Sequence, residues 1–459
     1  MNRRTFLKTT GAAVASSAIS ENLSAQTGSK PNILFIITDQ QHARMLSCAG
    51  NPWLETPALD ELAAGGTRYE KAYAANPVCV PSRIAMATGA MAGRFGVLDN
   101  GSAKKVNALV STGQKNSMGQ LMKRAGYDTF YGGKVHMTPD LVPSRAGYDE
   151  YYKDQRSKLP GATVEFIKRK RSNPFFAVAS FINPHDICFA YNAYKKREKM
   201  MKSVNELYEE ASKIPTEDLP PLPDNFEIPK KEPDAVQATG KVTAVTPSRL
   251  MRQEYNEREW RMYRWIYCRL TEEVDSHIGQ ILQGLKESGH EEKTLVLFVS
   301  DHGDMDSSHG LASKGVMYEE SANVPLIIRH PKTIQAGHVN SNLINIGLDI
   351  LPTFCHYAGI QAPASFLGES IPHLTKFRPY VAAENHWSRM IRTSRYKYCV
   401  YKDGEIQESL VDLENDPGEM NNLALDEQYE AALEHHRAFL RDWVERSGDE
   451  DGKQYLIAS

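Results

Sequence analysis

Three apolar runs stand out along the chain, at residues 32–38, 175–182 and 294–300, each continuous rather than alternating. Unbroken β-branched and aromatic runs of this length predict strands buried on both faces, as in a parallel sheet. Shorter runs at 129–131 and 324–328 predict two more strands. Between them the period changes. Thr56-Pro57 opens a helix, with Thr as N-cap and Pro at the first position, that closes at Gly65-Gly66. Residues 117–125 predict a second helix, stopped by Gly126. Residues 254–288 predict a long one, in which Tyr263, Ile266, Val274, Ile278, Ile281 and Leu285 recur near helical spacing. Buried strands separated by helices predict an α/β fold, a large and mostly parallel sheet with helices on both faces. From about residue 371 the texture alters to short strands at 380–383, 390–393, 396–401 and 409–412, followed by an amphipathic helix over 426–445. That part predicts a small C-terminal antiparallel sheet with a terminal helix. The expected division is one large domain over 31–370 and a subdomain over 371–459. Residues 191–248, rich in Lys, Glu and Pro, read as an excursion over the surface rather than core.

The residues with chemistry lie just beyond predicted strand ends. Asp39-Gln40 follow the first run, Lys134 and His136 the strand at 129–131, His185 the run at 175–182, and Asp301-His302 the run at 294–300. Open α/β sheets bind ligands outside the carboxyl ends of their strands, so an active site is expected there. Two carboxylates, an amide oxygen and an imidazole can hold one divalent cation, and calcium, which favours oxygen ligands, is the expected ion. Lys134 and His136, two apart, would project to one side of an extended segment.

Composition narrows the classes. A net charge of −3 over 459 residues gives no sign of a nucleic-acid partner. The six cysteines are scattered without a Cys-x-x-Cys pair, which argues against zinc or iron–sulfur sites and against a disulfide scaffold, one disulfide staying open. Arg3-Arg4-Thr5-Phe6-Leu7-Lys8 precedes a mild apolar run over 9–19 and small residues at Ser24-Ala25-Gln26. This resembles a twin-arginine export signal with its linker over 1–30. The run is too short to anchor the chain in a bilayer. The expected partner is the twin-arginine machinery, and the expected location a bacterial periplasm or the exterior.

One stretch organises the rest: Asn76-Pro77-Val78-Cys79-Val80-Pro81-Ser82-Arg83-Ile84-Ala85-Met86-Ala87-Thr88-Gly89. Residues 82–88 predict the first turns of a helix ending near Gly89, so Cys79 falls just ahead of an N-terminus that favours a developing anion. Arg83, four residues on, is placed to return to the same pocket.

Cys79-Val80-Pro81-Ser82-Arg83 resembles the Cys-x-Pro-Ser-Arg motif of the type I sulfatases, members of the alkaline-phosphatase superfamily. Gly133-Lys134-Val135-His136, Pro184-His185, Asp301-His302-Gly303 with Lys314 beyond it, and Leu413 to Glu419 resemble further family motifs in the family's order. The resemblance implies a sulfuric ester hydrolase with that superfamily's fold. It implies that a maturation enzyme converts Cys79 to Cα-formylglycine, and that Asp39, Gln40, Asp301 and His302 bind the metal. Gln40 and His302 depart from the commonest Asp-Asp and Asp-Asn pairs, and His302 would also suit manganese or zinc. The implied mechanism has Asp301 take a proton from the formylglycine hydrate as it attacks sulfur. His185, helped by Lys314, protonates the leaving alcohol, and His136 draws the proton that releases sulfate. Arg83 and Lys134 hold the formylglycine and the transferring group. Asp186, His309, Glu319 and Glu320 also sit near these motifs, as candidates to support the site residues from behind or to cap helices. Export and the segment Glu384-Asn385-His386-Trp387-Ser388-Arg389 point to a sulfated polysaccharide or oligosaccharide, with Trp387 stacking on a sugar and Arg389 pairing with a carboxylate. The rival readings are a phosphonate or phosphodiester hydrolase of the superfamily and an inactive sulfated-glycan-binding protein.

Overall fold

The computed structural model describes residues 30–102, 113–195, 202–237, 248–374 and 378–457. The expected export signal lies outside the described residues. The strands are β1 (Asn32–Asp39), β2 (Thr67–Tyr69), β3 (Ala72–Tyr73), β4 (Asp128–Gly133), β5 (Glu150–Tyr152), β6 (Phe175–Pro184), β7 (Thr294–Ser300), β8 (Leu326–Arg329), β9 (His338–Asn340) and β10 (Ile344–Asn345). Eight of them form one sheet in the order β5-β4-β6-β1-β7-β8-β2-β9, and β3 pairs with β10 separately. β1 lies at the centre, parallel to both β6 and β7, with Ile33 opposite Phe176 on one side and Leu295 on the other. Only β8 runs against its neighbours β7 and β2.

Alternation along the central strands divides the core in two. Ile33, Phe35 and Ile37 of β1 face one side, with Val178, Leu297 and Val299, and meet α3 (Met118–Arg124) and α7 (Ile346–Tyr357). Leu34 and Ile36 face the other side, with Ala177, Val296 and Phe298. They meet α1 (Pro57–Ala64), α4 (Leu159–Lys168) and α6 (Glu257–Glu287). Burial on both faces is why these strands read as unbroken apolar runs. The long helix α6 starts at a capping box. Asn256 accepts from the Glu259 amide, and the Glu259 carboxylate accepts from the Asn256 amide.

The segment expected over the surface is instead partly core. Val204 and Ala211 of α5 (Lys202–Ala211), with Leu219, are buried against Trp260, Tyr263 and Ile266 of α6. Its polar composition records the outer side of a layer whose inner side is apolar.

The last third carries the antiparallel sheet β11 (Val381–Glu384), β12 (Ser388–Arg392), β13 (Tyr396–Tyr401) and β14 (Glu408–Asp412), in that order. Leu433, Leu440, Trp443 and Val444 of α8 (Glu430–Ser447) cover it, packing on Ile391, Tyr398 and Leu410. A buried ion pair to Glu319 and a hydrogen bond to Tyr73 tie it to the large domain. Lys397 Nζ lies 3.1 Å from Glu319 and 2.5 Å from Glu419, and Arg392 Nε donates to Tyr73 at 2.7 Å. All six cysteines are free thiols. Among the described residues no helix is long and apolar enough to cross a membrane.

Candidate active site

The helix α2 (Cys79–Thr88) begins at Cys79 itself, one turn earlier than the prolines suggested. Pro81 falls in the first turn, where an amide has no intrahelical acceptor, so its missing N–H costs nothing. The Val80 amide, free for the same reason, donates to Asn100 Oδ1 at 3.0 Å. Cys79 is fully buried, with Sγ 3.0 Å from His302 Nε2, 3.0 Å from Lys314 Nζ and 3.8 Å from Asp39 Oδ1. Burial and Asp39 push this thiol up, but Lys314, Lys134 and His302 outweigh them and hold it well below the ordinary range.

Asp39 and Asp301 leave the ends of β1 and β7, adjacent parallel strands, so their carboxylates converge. Arg83 clamps the pair. Its Nε donates to Asp301 at 2.7 Å and Nη2 to Asp39 at 2.9 Å, while Nη1 donates to Lys134 O at 3.1 Å and Ser180 Oγ at 2.8 Å. The guanidinium therefore organises the two carboxylates rather than facing open space. Lys134 Nζ lies 2.7 Å from Asp39 Oδ2. Burial would raise Asp39, yet Lys134, His185, Arg83 and Lys314 hold it ionised. Asp301 moves the other way, raised by burial and by Asp39.

Asp39, Cys79, Asp301 and His302 offer ligand atoms all within 4.8 Å of one another, and all four are buried. This set fits a divalent cation. His302 Nδ1 is engaged by the Gly303 carbonyl at 2.9 Å, which directs Nε2 to the cluster, the usual support of a metal-binding imidazole. Gln40 stands beside them with its oxygen turned to Lys314 Nζ at 2.6 Å. His185 adjoins Cys79, its Nδ1 buried and without a hydrogen-bond partner among the described residues.

Two expectations change. His136 does not continue an extended segment from Lys134: its φ is +42°, and it is exposed. Arg389 is buried, bonded through Nε and Nη2 to Asp449 at 2.6 and 3.0 Å and lying over the Tyr455 ring. It braces the C-terminal sheet, with Nη1 donating to Asn385 O and Ser388 O at 2.7 and 3.0 Å, and its guanidinium is buried rather than open to substrate. Trp387, half-buried, packs on Tyr401 with ring centroids 5.7 Å apart. The sequence reading missed Ser180, Cys188 and Asp304, all buried beside the named residues. Cys188 donates to Gln40 Oε1 at 3.1 Å, and Asp304 accepts from Gln40 Nε2 at 2.6 Å. The short spacing from Asp301 was the one available signal for Asp304, and nothing local marked Cys188.

The family model described as Sulfatase matches residues 31–360. The chain belongs to the sulfatase family. A second model, N-sulphoglucosamine sulphohydrolase, C-terminal, matches residues 307–445 of this sulfatase. It is 32% identical over 460 residues to a Delta 4,5-hexuronate-2-O-sulfatase of Bacteroides thetaiotaomicron, covering 93% of this chain and 91% of that one. It is 27% identical to an arylsulfatase of Clostridium perfringens, covering 93% and 97%. The solved structure of a 2-O GAG sulfatase superposes with a TM-score of 0.76 at 28% identity, covering 94% of this chain and 95% of that one. The enzyme is thus a sulfuric ester hydrolase, on the mostly parallel sheet with appended antiparallel sheet described above.

Proposed function

We propose that this sulfatase removes a 2-O-sulfate from the hexuronate end of a sulfated glycan fragment, using formylglycine at position 79. The observation that carries the reading is Cys79 Sγ set among His302 Nε2, Lys314 Nζ and Asp39. Formylglycine there would supply a hydrated aldehyde as nucleophile, and a divalent cation, calcium in this reading, would supply positive charge opposite the sulfate oxygens. Asp39, Gln40, Asp301 and His302 would hold that ion.

The chain's own residues do the rest. Lys134 and Lys314 neutralise the anionic ester, and Arg83 keeps both carboxylates aligned through the reaction. Asp301, the carboxylate pushed up by burial and Asp39, is suited to accept the proton from residue 79. His185 is pushed down to about 4 by burial, Lys314 and Lys134, so it waits neutral. An arriving sulfate offsets the two lysines, favours the imidazolium and readies His185 to protonate the leaving alcohol. His136, exposed, takes the proton in the release half-reaction. The 2-O-hexuronate assignment rests on likeness to the Bacteroides thetaiotaomicron relative. Residues 3–8 favour twin-arginine export and a periplasmic or secreted enzyme, matured by a formylglycine-generating partner.

The test combines mass spectrometry of residue 79, from a maturation-competent host, with a substrate panel. The panel pairs 2-O-sulfated unsaturated uronate disaccharides with 6-O-sulfated glucosamine and with phosphate and phosphonate monoesters, products being read by NMR. We expect formylglycine at 79, fastest loss of the 2-O-sulfate, and no turnover by Cys79→Ala. A preference for 6-O-sulfate would overturn the substrate, faster phosphonate hydrolysis the sulfatase reading, and an active Cys79→Ala enzyme the nucleophile.

A further inference from the structure

Gln40, just past the end of β1, has a left-handed backbone conformation, φ +66°, and its side-chain amide is held at both ends. Nε2 donates to Asp304 Oδ2 at 2.6 Å, while Oε1 accepts from Lys314 Nζ at 2.6 Å and Cys188 Sγ at 3.1 Å. A carboxamide is nearly symmetric in shape, so only its partners decide which end is oxygen. Asp304 can take only the nitrogen end. It is fully buried and accepts, besides Gln40, from Tyr263 Oη at 2.9 and 3.0 Å, the Asp306 amide at 2.8 Å and the Ser313 amide at 3.1 Å. Among the described residues no ion pair reaches it. A carboxylate buried this deeply without a cation is costly to keep, and these donors make it a fixed acceptor.

We propose that Asp304 is a positioning residue that holds the Gln40 amide in the one orientation that Lys314, a donor only, also requires. It presents oxygen, never nitrogen, to Lys314 and to the cation site. The inference rests on the reading of Gln40 as a metal ligand. It also explains a neutral residue at position 40: a carboxylate there would meet Asp304 across a hydrogen-bond distance with no proton between them. Gln40 and Asp304 therefore form a matched pair, and the site's second ligand is an amide because the charge sits one residue further back.

The experiment is calcium titration by calorimetry on EDTA-stripped protein with Cys79 unmodified, so that turnover plays no part. Asp304→Asn, whose own amide can point either way, should weaken calcium roughly 10- to 100-fold, as loss of an outer support does. Gln40→Glu alone should also weaken it. Combined, they should return affinity to within about twofold of the native protein, because a carboxylate needs no orienting and the new amide donates to it. Equal losses from Asp304→Asn on the Gln40 and Gln40→Glu backgrounds would mean a merely structural role and overturn the proposal. An unchanged affinity in Asp304→Asn, with Gln40→Ala weakened, would also overturn it. An unchanged Gln40→Ala would instead remove Gln40 from the metal site. If Asp304→Asn does not fold, side-chain amide NMR of the native protein decides. The Gln40 amide protons, identified by their loss in Gln40→Ala, should be protected from exchange, and fast exchange would overturn the proposal.

Discussion

At the scale of single residues the charges around Cys79 set what each neighbour would do in the proposed reaction. His185 adjoins the thiol under two lysines and is pushed down to about 4, whereas a surface histidine would be half protonated near neutrality. Such a residue serves as a general acid only when an anion arrives beside it. His185→Ala should therefore slow hydrolysis of a sugar sulfate, whose alkoxide leaves poorly, by roughly 10²- to 10⁴-fold. It should leave 4-nitrophenyl sulfate, whose phenolate needs no proton, far less affected. Steady-state kinetics on the two substrates gives the comparison, and equal losses on both would remove the acid role.

Among the elements, strand ends aim the site, and β4 shows how tightly. Gly133 has φ +95°, and a Cβ there would come within 1.9 Å of Ser180 O on β6. The next amide, Lys134 N, donates to that same carbonyl at 2.7 Å. Glycine is required twice, for its backbone angle and for the close approach. Gly133→Ala should push β4 from β6, lower unfolding stability by about 3 kcal/mol and draw Lys134 away from Asp39. Urea denaturation checks the first effect. A raised KM with a smaller change in kcat checks the second, since in the proposed reading Lys134 would meet the anion in both ground and transition states.

For the molecule as a whole, stability should fall in acid. His309 is fully buried at φ +56°, its ring 3.9 Å from Tyr318 by centroid, with no hydrogen bond to either ring nitrogen among the described residues. Burial pushes it down to about 4, Glu320 opposing and Lys397 and Arg252 assisting. The folded protein thus binds fewer protons than the unfolded chain between about 6.5 and 4. Its contribution is complete above that window and is lost as pH falls through it. The shift corresponds to about 3 kcal/mol. His309→Asn, which tolerates the left-handed backbone, should flatten the dependence of stability on pH between 7 and 4. Denaturation at several pH values would show it, and an unchanged slope would locate the acid sensitivity elsewhere.

Local pattern determined the fold class. Strands buried on both faces must be apolar throughout, so β1, β6 and β7 were legible, and with them the strand ends where Asp39, His185 and Asp301 stand. The motif around Cys79 was legible for a similar reason, because a helix start and its following arginine are local. Tertiary structure decided what depends on contacts between distant residues. Asp304 meets Gln40 264 positions away, Arg389 is claimed by Asp449 60 positions away, and α5 turns its apolar side to α6. The backbone angle at His136 was hidden too, since it follows from packing rather than from residue type. Periodicity records whether a position is buried, but a buried polar group's partner is chosen only when the sheet brings its strands together.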